Sequence, residues 1–151
     1  MQKQHFLFAI TVLISAAVVS GCDKNDDPPT KTKTELLVQA SWKFQSATAS
    51  GTDITNNAAI ACIKDDVVTF TAAGAGTVTE GAIVCNPTTA NSFTWVFQDS
   101  ETKLVMSSGL FPSGSGTFTI VALNETTLTL SQDVTIPPSP VAIPVVATYV
   151  H

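Results

Sequence analysis

The chain contains no arginine: all 7 of its basic residues are lysine, against 12 acidic residues and a formal net charge of −5 over 151 residues. Phosphate backbones are held by clusters of lysine and arginine, with arginine favoured for two-pronged contacts. An acidic chain without arginine or a basic run lacks the footprint of a nucleic-acid binder. Charge is scarce altogether, at 13%, about half the usual share. Histidine is scarcer still, with only His5 and His151, the last residue. A Ser-His or Cys-His nucleophile pair therefore has no base, and zinc sites built on histidine are excluded. No catalytic residue, metal site or cofactor is expected, and the chain does not read as an enzyme.

The N-terminus also lacks a full membrane span. Its apolar run from Phe6 to Val19 covers about fourteen residues, short of the roughly twenty a spanning helix needs. Lys3 precedes the run and small residues follow it, which is the layout of a secretory signal. The last four residues of the segment, Val19-Ser20-Gly21-Cys22, resemble the lipobox of bacterial lipoproteins. In that family the cysteine is acylated and becomes the mature N-terminus. The resemblance implies a signal peptide over residues 1–21 and lipidation (palmitate among the acyl groups) at Cys22. Acyl chains contribute about 0.8 kcal/mol per buried methylene, so several on one cysteine anchor a protein without a spanning helix. Removing the signal removes only Lys3, leaving 6 lysines against 12 acids. Residues 22–34 then read as a flexible tether, with six charges and two prolines in DKNDDPPTKTKT and no other apolar residue. Asp23, Lys24, Asp26 and Asp27 also resemble the acidic export signal of Bacteroidota surface lipoproteins. A plain solvated linker explains them equally well.

What the rest has in quantity is threonine, valine and alanine in alternation. Thr32-Lys33-Thr34-Glu35 fits a capping box ahead of Leu36, Leu37 and Ala40, which predicts one short helix. From there to residue 151 the pattern predicts a single all-β domain. Strands are expected at 42–49, 67–71, 76–81, 92–98, 103–108, 116–123, 126–132 and 143–150. Ala72-Ala73-Gly74-Ala75 should turn the chain between the second and third. Phe93, Trp95 and Phe97 should share one face, as should Phe118, Ile120 and Ala122. About eight strands on mostly short turns predict an antiparallel meander. Closure into a barrel would remove the exposed edges, and an open sandwich is the other solution.

With Cys22 set apart for lipid, Cys62 and Cys85 are free to pair. Their midpoint falls between Ala73 and Gly74, inside the predicted turn, so a hairpin centred there would set them opposite each other. Opposed Cα atoms lie about 4.5–5.5 Å apart, within disulfide range. An exported compartment permits the bond, and closing a loop of about twenty residues is worth roughly 3 kcal/mol. Asp65 and Asp66 form the one carboxylate pair worth testing, as cation ligands or as an acid and base. Adjacent strand residues face opposite ways, so a solvated strand entry is the simpler reading. Asn124-Glu125-Thr126 fits a glycosylation triplet, and a turn explains it better.

The order of features carries a second resemblance. A short helix ends at Trp42-Lys43, and Cys62 and Lys64-Asp65-Asp66 precede a Thr-Phe strand. A glycine-rich turn follows, then Gly81, Cys85, Asn86-Pro87, Trp95, a strand ending Ile120 to Leu123, and Thr127-Leu128-Thr129-Leu130. Over roughly residues 35–132 this resembles the lipocalin-like domain of Bacteroidota lipoproteins. Where true lipocalins carry Gly-x-Trp, this chain has Ala40-Ser41-Trp42. The resemblance implies a small β-barrel on the cell envelope, at the outer membrane, facing the periplasm or the cell surface. Two functions are then open. One is a lipid-anchored binding module whose barrel holds a small apolar or amphipathic ligand, with Trp42, Phe44, Phe93, Trp95 and Phe118 as cavity candidates. The other is a structural or protein-interaction subunit with a filled barrel and no ligand. An eight-stranded barrel is wide enough for either.

Overall fold

A computed structural model describes residues 30–111, 114–135 and 140–151. The signal peptide, Cys22 and the tether up to residue 29 lie outside the described residues, as does part of the Pro-rich connection after residue 135.

The helix forms where the capping box predicts. Helix α1 runs Lys33–Val38, with Thr32 as its N-cap. The Thr32 hydroxyl accepts from the Glu35 N–H at 3.2 Å, and the Glu35 carboxylate accepts from the Thr32 N–H at 2.7 Å. Two free N–H groups of the first turn are thus satisfied. Helix α1 takes in Lys33 and Thr34, which composition assigned to the tether.

The strands are β1 Trp42–Ala49, β2 Thr52–Asp53, β3 Val67–Phe70, β4 Ala75–Thr79, β5 Asn91–Gln98, β6 Lys103–Met106, β7 Thr117–Leu123, β8 Thr127–Thr135 and β9 Ala142–Val150. Each strand from β3 onward pairs antiparallel with the next, and β1 closes the ring by pairing with both β3 and β9. The result is a closed eight-stranded barrel, and β2 is an extra two-residue strand hung on the end of β1. Closure decides against the open sandwich.

Two β-bulges set which residues face inward. On β1 the register shifts between Phe44 and Ser46, so the buried set reads Trp42, Phe44, then Ala47, Ala49. On β7 it shifts between Ile120 and Ala122. Val121 is the extra residue and stands 57% exposed, and Leu123 rather than Ala122 packs on the core. The expected face of Phe118, Ile120 and Ala122 therefore breaks after Ile120, because a bulge reverses the alternation.

The inward aromatics interlock. Phe70 meets Phe93 and Trp95 edge-on at 5.4 and 5.8 Å, and Phe44 meets Tyr149 at 5.9 Å. Gly76 lies opposite Phe93. A Cβ on Gly76 would fall 2.3 Å from the Phe93 ring and 2.6 Å from the Thr69 carbonyl, so only glycine lets that ring cross β4.

The antiparallel order gives the barrel two unlike ends. At the first end lie α1 and the tight turns β3–β4, β5–β6 and β7–β8. Leu37 is fully buried there, and the Trp42 indole N–H donates to the Leu37 carbonyl at 2.8 Å. Lys31 pairs with Glu125 at 3.0 Å, and Gln39 donates to the Glu125 carbonyl at 2.7 Å. The second end collects the longer connections β2–β3, β4–β5, β6–β7 and β8–β9.

Candidate functional site

Described residues of three connections at the second end line a cleft of about 580 Å³. Ala58, Ala59 and Cys62 come from the β2–β3 connection. Cys85, Asn86, Pro87, Thr88, Thr89 and Asn91 come from the β4–β5 side, and Gly109, Phe111 and Gly114 from the β6–β7 loop. None of the described lining side chains is charged. Phe111 is buried and packs edge-on against Phe118 at 5.9 Å, so the apolar part of the cleft rests on the barrel core.

The Cys62–Cys85 disulfide forms part of the wall, with its Cα atoms 5.0 Å apart. Its setting differs from the expected cross-strand pair. Cys62 sits in a single 3-10 turn, Ala61–Ile63, and Cys85 in the loop after β4. The hairpin pairs Val67 with Thr79 and Phe70 with Gly76. Both strands stop before the cysteines, so loop packing rather than ladder register brings the sulfurs together.

Beneath this wall lie three carboxylates. Asp65 and Asp66 are in the turn that enters β3, and neither is a solvated strand entry. Asp65 accepts from the Ile83 N–H at 3.0 Å. Asp66 is only 4% exposed, and its Oδ2 lies 2.8 Å from the Thr89 hydroxyl. Glu80, just past β4, takes four donors: the Cys85 N–H at 2.9 Å, the Thr88 hydroxyl at 2.6 Å, and the Thr89 N–H and hydroxyl at 2.9 and 3.0 Å. Those bonds, led by the one from the Thr88 hydroxyl, hold the Glu80 carboxyl down at about 2. Burial pushes Asp66 the other way, above the ordinary 3.8; the Thr89 bond opposes this, and the charges of Glu80 and Asp65 reinforce it. Gly81 is required beside them, because a Cβ there would fall 2.4 Å from Asp65 Oδ2. These oxygens serve as acceptors that shape the β4–β5 loop. Among the described residues, no group of three or more His, Cys, Asp or Glu could hold a metal ion.

One further polar side chain points inward. Gln132 on β8 is 6% exposed, and its amide donates to the Ser115 and Thr117 carbonyls at 2.7 and 2.9 Å. Its Oε1 is buried without a partner among the described residues, beside Gly114 of the cleft wall.

The five cavity candidates from the sequence are all buried. Trp42, Phe44, Phe93, Trp95 and Phe118 lie within the barrel, whereas the cleft is lined by loop residues, with Asn91 at the very start of β5, that alternation does not mark. Asn124 makes the turn expected of it: its Oδ1 accepts from the N–H groups of Thr126 and Thr127, both at 2.9 Å.

Residues 38–130 match the lipocalin-like domain family, which is most of the barrel from the end of α1 to the middle of β8. The chain belongs to that family. A search of curated proteins finds no match to it. Barrels of the lipocalin-like family are typically binding folds rather than catalytic ones, and a cleft at the mouth of such a barrel suits a small ligand.

Proposed function

We propose that this lipocalin-like barrel is a lipid-anchored binding module of the cell envelope. It holds a small, uncharged, apolar or amphipathic ligand in the cleft between the Cys62–Cys85 wall and Phe111. The observation that carries this reading is the cleft itself: about 580 Å³, uncharged along its lining and seated on the core through Phe111. That is the size range of small-molecule sites. The tightly interlocked aromatics argue for the mouth rather than the deep interior as the ligand's place. Anchoring is supported by Val19-Ser20-Gly21-Cys22 after an apolar run, and the outer membrane is the site we propose for the anchored domain.

The binding claim is tested with N-phenyl-1-naphthylamine, a neutral fluorescent apolar probe. Its emission should rise with the wild-type domain and not with Ala59→Trp, which fills the cleft. An equal rise with both proteins would overturn the cleft as the site. Denaturing mass spectrometry on protein from its own envelope should show a chain starting at Cys22 with added acyl mass.

One observation favours a second reading, a protein-interaction subunit. Ile83 and Val84 stand 48% and 65% exposed in the β4–β5 loop, beside the cleft. A stable partner recovered with the lipidated protein, lost on Ile83→Ser/Val84→Ser, would favour it.

A further inference from the structure

The hydrogen-bond count beneath the cleft wall is one proton short. The Thr89 hydroxyl lies 2.8 Å from Asp66 Oδ2 and 3.0 Å from Glu80 Oε1. A hydroxyl carries one hydrogen, so it cannot donate to both. Were both carboxyls ionised, one of these contacts would set two lone pairs against each other. A proton on Asp66 resolves the conflict: Asp66 Oδ2–H donates to Thr89, and Thr89 donates to Glu80.

Two further facts place the proton on Asp66 rather than Glu80. Glu80 already receives two backbone N–H groups and the Thr88 hydroxyl, which favours its ionised form. Asp66 has a second oxygen, Oδ1, buried without a partner among the described residues. An orphaned oxygen costs far less on a neutral acid than on a carboxylate.

The charged and titratable neighbours of Asp66 offer no counter-ion. Asp65 adjoins it, Glu80 faces it from the end of β4, and the loop 81–90 contains no ionisable side chain other than the bridged Cys85. Tyr149, buried on β9, is pushed above the usual phenol range by burial and then by the Asp66 charge. Lys64 donates to Asn56 Oδ1 at 2.7 Å. The ion pairs among the described residues are Lys31–Glu125 and Lys103–Asp99, neither involving Asp66.

Thr88, Thr89 and Cys85, the residues this network holds, are themselves cleft wall. We infer that Asp66, Thr89 and Glu80 form a proton-dependent latch: with a proton on Asp66 the β4–β5 loop is docked and the cleft is formed, and loss of that proton loosens the loop and releases the ligand. The release half rests on the cleft being the ligand site proposed above.

The latch is measured first without ligand. The Asp66 side-chain carboxyl is followed by carbon NMR from about pH 3 to about pH 8, with amide-exchange protection factors at Cys85 and Thr89 over the same range. Asp66 should titrate above 3.8, with protection at both amides falling as it does so. Titration at or below that value, or protection that stays flat, overturns the latch. Affinity for N-phenyl-1-naphthylamine is then measured in wild type and Asp66→Asn, whose amide mimics the neutral acid. Wild-type affinity should fall by about tenfold between the two protonation states, a coupling of one pH unit. Asp66→Asn should bind alike throughout, and a fall equal to wild type's would overturn the coupling. No binding at any pH would overturn the cleft reading, and the latch is then decided by the carboxyl and exchange data.

Discussion

The two ends of this barrel are closed by different physics. The first end is closed by burial. A capped helix seats Leu37 on the barrel, the Trp42 indole locks to it, and the adjoining connections are tight turns. The second end is held by cross-links and polar bonds: one disulfide, and a carboxylate set that gathers the N–H and O–H groups of the β4–β5 loop. Burial of apolar surface responds little to proton or electron activity, whereas carboxylates and disulfides respond to both. The end that carries the cleft is therefore the end that solution conditions alter most, and the plugged end, held mainly by burial, is its steadier reference.

The largest effect should come from breaking the plugged end. Trp42→Ala removes a fully buried indole and should cost about 3–5 kcal/mol in chemical denaturation. Next is the open end: Cys62→Ala/Cys85→Ala should cost about 3 kcal/mol, the loop-closure value for a bridge of this span. The two differ in kind. The disulfide loss should be reproduced in wild type by a reductant, and the Trp42→Ala loss should not.

The pH profile sharpens the same contrast. Glu80 is held at about 2 against an ordinary 4.5, so its contribution is full above 4.5 and is lost as pH falls toward 2. Asp66 is raised above 3.8. The folded state holds its proton more tightly than the unfolded chain, so a cost sets in as pH climbs past 3.8 and is complete at its folded value. Thermal stability should thus fall on both sides of a maximum. Asp66→Asn should flatten the alkaline limb, whereas Glu80→Gln should soften the acid limb and also shrink the alkaline one, because the Glu80 charge helps to raise Asp66.

How much of this could be read from the sequence follows the same division. The plugged end is local in sequence: a capping box, alternation and short turns put α1 and the eight ring strands close to where they lie. The bulges at Gln45 and Val121 were not legible, because nothing in WKFQSATA or TFTIVAL marks one extra residue. The disulfide pairing was legible and its geometry was not, since midpoint arithmetic assumes strands that continue to the cysteines. The cleft was the least legible part. Phe111 sits in a loop outside any alternating run. Glu80 meets Thr88 and Thr89 only because the β4–β5 loop folds back on itself, a tertiary fact that no short spacing encodes.

The smallest predicted effect tests whether the plugged end depends on its cap as well as on burial. Thr32→Ala removes the hydroxyl that accepts the Glu35 N–H and should cost about 1 kcal/mol. Stability alone could not separate that loss from a loss of packing, but the Glu35 carboxyl can. It is held below 4.5 first by the Thr32 N–H, next by the Thr32 hydroxyl, with a lesser contribution from the Lys31 charge, and burial pulls the other way. The substitution removes the hydroxyl and keeps the N–H, so the carboxyl should move only part of the way back toward 4.5. A full return would mean that the whole box opens when its hydroxyl is lost, and that α1 is seated by its cap more than by Leu37.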